Sequence, residues 1–241
     1  MDKPLNVSRE TSGWSGWPEE KILSLGAAEL GLDLCPKRAA RLLDFLAELR
    51  RWNKKINLIG PAAPSDEIVL HLLDSLSPLS FPWPGLPGRD SQAGPLKVLD
   101  LGSGGGLPGL VLKIARPEWE VTLAEAKAKK AAFLRHAIRT LALEKAWVLE
   151  ARLGREAQGP PAAFDLVTAR GLGPLTRIIP LARPFLGPGG RLLAYKGPNA
   201  GPDLSAAAKD LAEAGLRLER EDRLWLPFLN RERVILVFQR V

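Results

Sequence analysis

The chain has 241 residues, 46% of them apolar, enough to fill a sizeable core and to exclude global disorder. Its formal net charge of +7 favours a polyanionic partner such as RNA or DNA over an acidic protein, although a basic chain need not bind nucleic acid. A single cysteine, Cys35, excludes an intramolecular disulfide and a Cys-rich zinc cluster, and His71 and His136 alone leave little for a metal site. No stretch approaches the ~20 continuous apolar residues of a membrane helix, so a cytoplasmic setting without metal or membrane is expected.

Residues 1–17 are polar and lack periodicity; a mobile tail is expected, with local packing of Trp14 and Trp17 as the exception. From Pro18 the pattern turns helical, with Ile22, Leu23, Leu25 and Leu30 recurring up to Gly31. A longer helix starts near Pro36 and carries Leu42, Phe45, Leu46, Leu49 and Ile56 at helical spacing. Its outer face, with Lys37, Arg38, Arg41, Arg50, Arg51, Lys54 and Lys55, suits either solvent or RNA. Asn53 and Asn57 lie beside the apolar stripe and need hydrogen-bond partners there.

A third helix is expected from about Asp66 to Ser77, with His71, Asp74 and Ser75 on one face. Two readings stand: a buried His71–Asp74 hydrogen bond that locks the packing, or a polar cluster facing a cofactor domain. Residues 81–95 are rich in Pro and Gly and read as a linker. The organisation expected is therefore a tail (1–17), a helical N-terminal appendage (18–80), the linker (81–95) and a second domain (96–241).

In that second domain strands and helices alternate. Strands are expected at 96–101, 120–125, 146–150, 164–169 and 190–196, and helices at 107–115, 127–141, 174–185 and 203–214. Two last strands, 216–225 and 232–240, are joined by a short turn around Leu229-Asn230-Arg231 and should pair antiparallel. The alternation implies an α/β fold, a doubly wound parallel sheet with an antiparallel C-terminal hairpin.

The chain is organised around Lys97 to Gly109, a buried strand, an acid and a glycine-rich turn into a helix. Val98, Leu99 and Leu101 suit a central parallel strand, and Gly102, Gly104 and Gly106 admit positive φ beside a ligand. Pro108 suits a helix's first turn. The pattern Asp-x-Gly-x-Gly-x-Gly resembles the S-adenosylmethionine loop of class I methyltransferases, whose Rossmann-like sheet also ends in an antiparallel hairpin. Gly104-x-Gly106-x-x-Gly109 also fits the dinucleotide fingerprint. Glu125, at the end of the second strand, can accept from both ribose hydroxyls of either cofactor. Asp100 discriminates, because it would attract the ammonium of methionine and repel a pyrophosphate. The lone Tyr195 has Lys196 beside it rather than on a shared helix face, which suits dehydrogenase chemistry poorly.

For the methyl acceptor, Cys35 lies far from the glycine turn, where a C5-pyrimidine nucleophile would be needed. Val167 to Pro174 contains no Asn/Asp-Pro-Pro-aromatic motif of exocyclic amino methylation. A ring nitrogen needs only in-line placement and no general base, which points to guanine N7.

Several pieces in order resemble the GidB/RsmG family, guanine-N7 methyltransferases of bacterial small-subunit ribosomal RNA. They are Arg51 to Leu58, His71 to Ser75, Asp100 to Gly109, Lys129-Lys130 before Phe133-Leu134, Thr168-Ala169-Arg170, Tyr195-Lys196-Gly197, and Glu232-Arg233 before an apolar strand. The resemblance implies direct methyl transfer from S-adenosylmethionine to guanine N7 in the decoding-region loop of 16S ribosomal RNA or the small ribosomal subunit, by a monomer. It implies cofactor contacts from Asp100, Gly102, Ser103, Gly104, Gly106, Leu107, Glu125 and Arg170, with Leu153 and Gly154 bordering the adenine. Arg170 is also the catalytic candidate, placed at the target base. Asn53, Lys129, Lys130, Arg135 and Lys196 are the RNA-binding candidates. The segment Leu153 to Glu156 departs from the family pattern. Two other readings remain: a non-catalytic RNA-binding or assembly factor with a relic pocket, and an NAD-binding oxidoreductase.

Overall fold

A computed structural model describes residues 13, 14, 16–81, 95–152 and 163–241. Most of the expected linker and of the expected tail lies outside these residues.

Among the described residues one sheet has the order β3-β2-β1-β4-β5-β7-β6. The strands are β1 (Lys97–Leu101), β2 (Glu120–Glu125), β3 (Ala146–Glu150), β4 (Phe164–Arg170), β5 (Leu186–Lys196), β6 (Leu216–Trp225) and β7 (Glu232–Arg240). β1 to β5 pair in parallel, and β7 runs antiparallel between β5 and β6, as the short turn near Asn230 implies. Side chains of the inner strands alternate between two buried faces, which is why β1, β4 and β7 are largely apolar, whereas the edge strand β6 is mostly charged. Val98, Leu166, Leu193 and Ile235 point to one face, and Leu99, Val167, Leu192 and Leu236 to the other.

The first face is covered by α1 (Glu19–Glu29), α2 (Pro36–Asn53), α5 (Gly109–Ala115) and α6 (Ala128–Thr140), the second by α7 (Leu175–Ala182), α8 (Ala200–Ala206) and α9 (Ala208–Ala214). The N-terminal helices share one apolar core with the sheet, Leu23, Phe45, Leu46 and Leu72 joining Val98, Leu110 and Phe133. α2 lies antiparallel to α6: Arg41 donates to the carbonyl of Leu141, Glu48 pairs with His136 at 2.8 Å, and Trp52 packs on Phe133 at 5.7 Å. No helix among the described residues is long and apolar enough to cross a membrane.

Four local expectations change. The helix expected at 203–214 is two helices, α8 and α9. β5 starts at Leu186 rather than 190, because the Gly187-Pro188-Gly189-Gly190 turn signal is an irregularity within the β4–β5 pairing. The third helix is a composite: α3 (Pro64–Glu67), a π-helical turn (Ile68–Leu73), α4 (Asp74–Leu76) and a 3-10 turn (Ser77–Ser80). The packing of Trp14 and Trp17 is long-range in sequence rather than local. Both rest on Phe228, in the β6–β7 connection, with ring centroids 5.3 and 6.1 Å away.

Candidate active site

Strand order reverses between β1 and β4, and ligands of open α/β sheets bind at the carboxyl ends beside such a reversal. The glycine turn follows β1 there, and Arg170 to Gly173 follow β4. Gly102 has φ +64°, and a Cβ on it would lie 2.4 Å from Leu172 Cδ2, so only glycine fits. Gly104 has φ +52°, and a Cβ there would make ordinary contacts with Gly102 O at 3.7 Å and Lys130 Nζ at 3.9 Å, with nothing nearer. This turn is a backbone cradle at the carboxyl end of β1.

Other residues hold the cradle's shape. Ser103 donates from Oγ to Asp100 O at 2.9 Å and from its N–H to Ala124 O at 3.0 Å, tying the turn to β2. Leu107 is half-buried and donates its N–H to Ser103 O at 3.2 Å. Gly106, with φ +77°, is closed in by Leu110. Behind Gly105 stand Leu49, Leu58 and Ile59 of the N-terminal region. Asn53 builds this support, since its Oδ1 accepts from the N–H groups of Leu58 and Ile59 at 2.8 and 3.0 Å. The Asn53 carbonyl is thus engaged in the protein itself, whereas Asn57 is exposed.

Asp100 is fully buried, and its carboxylate accepts from Thr168 Oγ1 at 2.8 Å and Gly109 N–H at 3.1 Å. Asp100 and Thr168 are register partners on β1 and β4, so alternation turns both to the same face. Burial pushes the Asp100 carboxyl up to about 6, against the hydrogen bonds that favour its charged form. The side chain fastens β1, β4 and the start of α5 together, and its full burial keeps it from direct contact with a ligand ammonium, leaving attraction at longer range. Glu125 accepts from Gly104 N–H at 2.9 Å and Lys127 N–H at 2.8 Å, one bond per carboxylate oxygen. Each oxygen keeps a lone pair for a hydroxyl donor beside the cradle.

Arg170 ends β4 on the face covered by the π turn. Its Nη1 donates to Ser75 Oγ at 2.8 Å, its Nη2 donates to Leu70 O at 2.5 Å, and Nη2 lies 3.1 Å from Asp74 Oδ2. The π register explains the open carbonyl: the Asp74 N–H donates to Val69 O, five residues back, rather than to Leu70 O as in an α-helix. Tyr195 on β5 donates to Ser75 O at 3.0 Å, and Arg233 at the start of β7 grips Asp74 with Nε and Nη2 at 2.6 and 2.9 Å. Burial holds the Tyr195 hydroxyl well above its usual range.

The expected His71–Asp74 hydrogen bond is absent. Asp74 is fully buried between the two arginines, and neither nitrogen of His71 has a hydrogen-bond partner. Desolvation, reinforced by the Arg170 charge, pushes the His71 imidazole down to about 4 and keeps it neutral. The alternative reading, a polar cluster facing the sheet, describes Asp74 and Ser75.

Among the RNA candidates, Lys129 is exposed and Lys130 stands over Gly104. Arg135 pairs with Glu150 at 2.7 Å, and Lys196 with Asp203 at 2.6 Å and Gly173 O at 2.7 Å. Leu153 and Gly154 lie outside the described residues. Arg233, which the sequence marks only as part of an ending before an apolar strand, joins the site because β4, β5 and β7 present Arg170, Tyr195 and Arg233 side by side on one face.

A model of the GidB family, described as rRNA small subunit methyltransferase G, matches residues 38–221. The chain belongs to the GidB family. Relatives named ribosomal RNA small subunit methyltransferase G agree along almost the whole chain. The one from Leptothrix cholodnii is 35% identical over 90% of this chain and 93% of its own length. The one from Burkholderia multivorans is 37% identical over 89% of each. The one from Xanthomonas campestris pv. campestris is 42% identical over 83% of this chain and 85% of its own length. Among solved structures, P. horikoshii TYW2 in complex with MeSAdo aligns with a TM-score of 0.53 at 13% identity, covering 77% of this chain and 65% of that one. M. jannaschii TYW2 in complex with AdoMet aligns with a TM-score of 0.50 at 14% identity, covering 61% and 70%. These likenesses carry the fold. As a GidB-family member the chain is an rRNA small subunit methyltransferase of class I architecture with S-adenosylmethionine as cofactor. Glu125, with a lone pair left on each carboxylate oxygen beside the Gly104 turn, suits the ribose hydroxyls of an adenosine.

Proposed function

We propose that this enzyme methylates N7 of a guanine in the decoding-region loop of 16S ribosomal RNA. The observation that carries the acceptor is the state of the ionisable groups around the β1–β4 edge. Asp100 is sealed by Thr168 and Gly109, Asp74 by two arginines, Tyr195 is turned to Ser75 O, and Lys196 to Asp203. The His71 ring nitrogens are buried. None of these groups stands open as a general base, and a guanine N7 lone pair requires none.

S-adenosylmethionine, when bound, supplies an electrophilic methyl group on a sulfonium. The chain's part is placement, which can contribute several kcal/mol to the barrier without any proton transfer. Gly102, Gly104 and Gly106 let the backbone approach the cofactor, and Glu125 receives the ribose hydroxyls. Arg170 donates to Ser75 Oγ and Leu70 O and its Nη2 forms an ion pair with Asp74, which leaves Nε–H and one Nη1–H without an acceptor among the described residues. Those donors suit guanine O6, adjacent to N7, or a neighbouring phosphate.

The RNA backbone is taken to follow the rim where α2 and α6 converge. The antiparallel packing of these helices carries Lys54 and Lys55 toward the α6 start, where Lys127, Lys129 and Lys130 stand. Lysines at the positive end of a helix are unfavourable by themselves, and polyanion binding offsets that cost. Arg135 and Lys196, already paired with acids, contribute less.

The test is mass mapping of small-subunit RNA from a deletion strain. Loss of one N7-methylguanine from the decoding-region loop is the expected result. An unchanged modification there would exclude the proposal.

A further inference from the structure

Arg170 is a long side chain that must hold one orientation if it is to place a base, and the groups that hold it come from outside its own strand. We propose that Asp74, braced by Arg233, is a positioning residue that fixes the Arg170 guanidinium for the acceptor base. The proposal rests on the reading of Arg170 as the acceptor-side arginine.

Asp74 is fully buried, and all the charge it meets comes from two guanidinium groups. Arg233 engages it through both Nε and Nη2, the fork geometry that gives directional charge-assisted bonds. Arg233 is itself fixed by a further bond from Nη1 to Lys196 O at 3.2 Å. Bracing by Arg233 therefore sets where Asp74 Oδ2 lies, and Oδ2 meets Arg170 Nη2 at 3.1 Å. The remaining Arg170 contacts, Ser75 Oγ and Leu70 O, lie within five residues of Asp74 on the same composite helix.

The charges also divide the labour. Two guanidinium groups share the Asp74 carboxylate, and Asp100 acts on Arg170 without a hydrogen bond to it. Arg233 takes the fork, so Arg170 is the less fully engaged of the two arginines. Its Nε–H and one Nη1–H are the donors without an acceptor among the described residues. Asp74 thus fixes the direction of the Arg170 guanidinium while leaving those two donors for a carbonyl or phosphate oxygen.

A double-mutant cycle tests this, using the full-length enzyme, small ribosomal subunits from the deletion strain, and calorimetry with S-adenosylmethionine. D74N keeps the shape of the side chain and removes its charge; R170K keeps the charge and removes the planar fork. Each variant alone is expected to lower kcat about tenfold or more, while cofactor affinity stays within about twofold. The double variant is expected to match R170K within about twofold, because Asp74 acts through Arg170. Should D74N fail to fold, R233K and R233K/R170K provide the same comparison. Additive losses in the cycle, or a fall in cofactor affinity parallel to kcat, would overturn the role of Asp74. Full activity of R170K would instead overturn the reading of Arg170 itself, and the two failures are distinct.

Discussion

Arg233 Nε donates to Asp74 Oδ1 at 2.6 Å across 159 positions of sequence, joining the first residue pair of β7 to the helix that follows the π turn. Asp74 has no contact with water, so the bond is made where it cannot be replaced by solvent. Removing one partner of such a pair leaves a buried charge, which costs about 3 kcal/mol. R233M is therefore expected to lower the unfolding free energy by about that amount, read as a shift of the urea midpoint at constant slope. An unshifted midpoint would mean that the pair contributes nothing to the fold.

A pH dependence follows from His71 and Asp100, with opposite signs. The His71 imidazole is pushed down to about 4, so between pH 6.5 and 4 the unfolded chain binds the extra proton and stability falls on acidification. The Asp100 carboxyl is pushed up to about 6, so between pH 6 and 3.8 the folded chain binds the extra proton and stability rises on acidification. The two contributions oppose each other in the wild-type enzyme. H71L removes the first, so its stability relative to wild type is expected to improve by on the order of 2 kcal/mol from pH 7 to pH 5. Urea midpoints at the two pH values measure this, and an unchanged difference would contradict it.

Two glycines of one turn should fail in different ways. A Cβ on Gly109 would lie 2.4 Å from Leu123 Cδ2 and 2.7 Å from Asp100 Oδ2, inside the protein. G109A is expected to cost about 1–3 kcal/mol of stability through overpacking. At Gly104 a Cβ meets only ordinary contacts, with no atom nearer than 3.7 Å, and the backbone strain costs about 1 kcal/mol. G104A is expected to lower cofactor affinity about tenfold or more, because the methyl group enters the cradle. Thermal unfolding and calorimetry, run on both variants, separate the two; equal effects on both readouts would deny that the space over Gly104 is the cofactor site.

The lysine rim predicts a salt dependence. K129A and K130A are each expected to reduce the slope of log affinity against log salt by about 0.7–0.9, the contribution of one phosphate contact. R135A should change the slope less, since Arg135 already pairs with Glu150. Filter binding of the RNA at a series of salt concentrations reads the slopes, and equal slopes for wild type, K129A and K130A would remove both lysines from the interface.

Much of the architecture is legible in the sequence because strand and helix periods differ, and Val98, Leu99 and Leu101 declare a strand buried on both faces. The short Leu229-Asn230-Arg231 turn marks the antiparallel end in the same way. The π turn is not legible, because Ile68, Val69, Leu72, Leu73 and Leu76 suit an α-helix equally well. That single change of register redirects Asp74 from His71 to the arginines and opens the Leu70 carbonyl to Arg170. Asn53 is legible in part: its place beside the apolar stripe says that it needs a partner, but the partners are backbone N–H groups that exist only once the 54–59 segment folds back. Arg233 becomes part of the site only through strand order, which brings β7 beside β5.

The central claim, methyl transfer to guanine N7 without a general base, is tested most directly on the product. Small ribosomal subunits from a deletion strain are incubated with the purified enzyme and methyl-labelled S-adenosylmethionine, and the RNA is digested and its labelled nucleoside identified. The account predicts label in N7-methylguanosine from the decoding-region loop with wild type, and none with R170A that still binds cofactor. Label on a carbon or an exocyclic amine, or undiminished transfer by R170A, would contradict it.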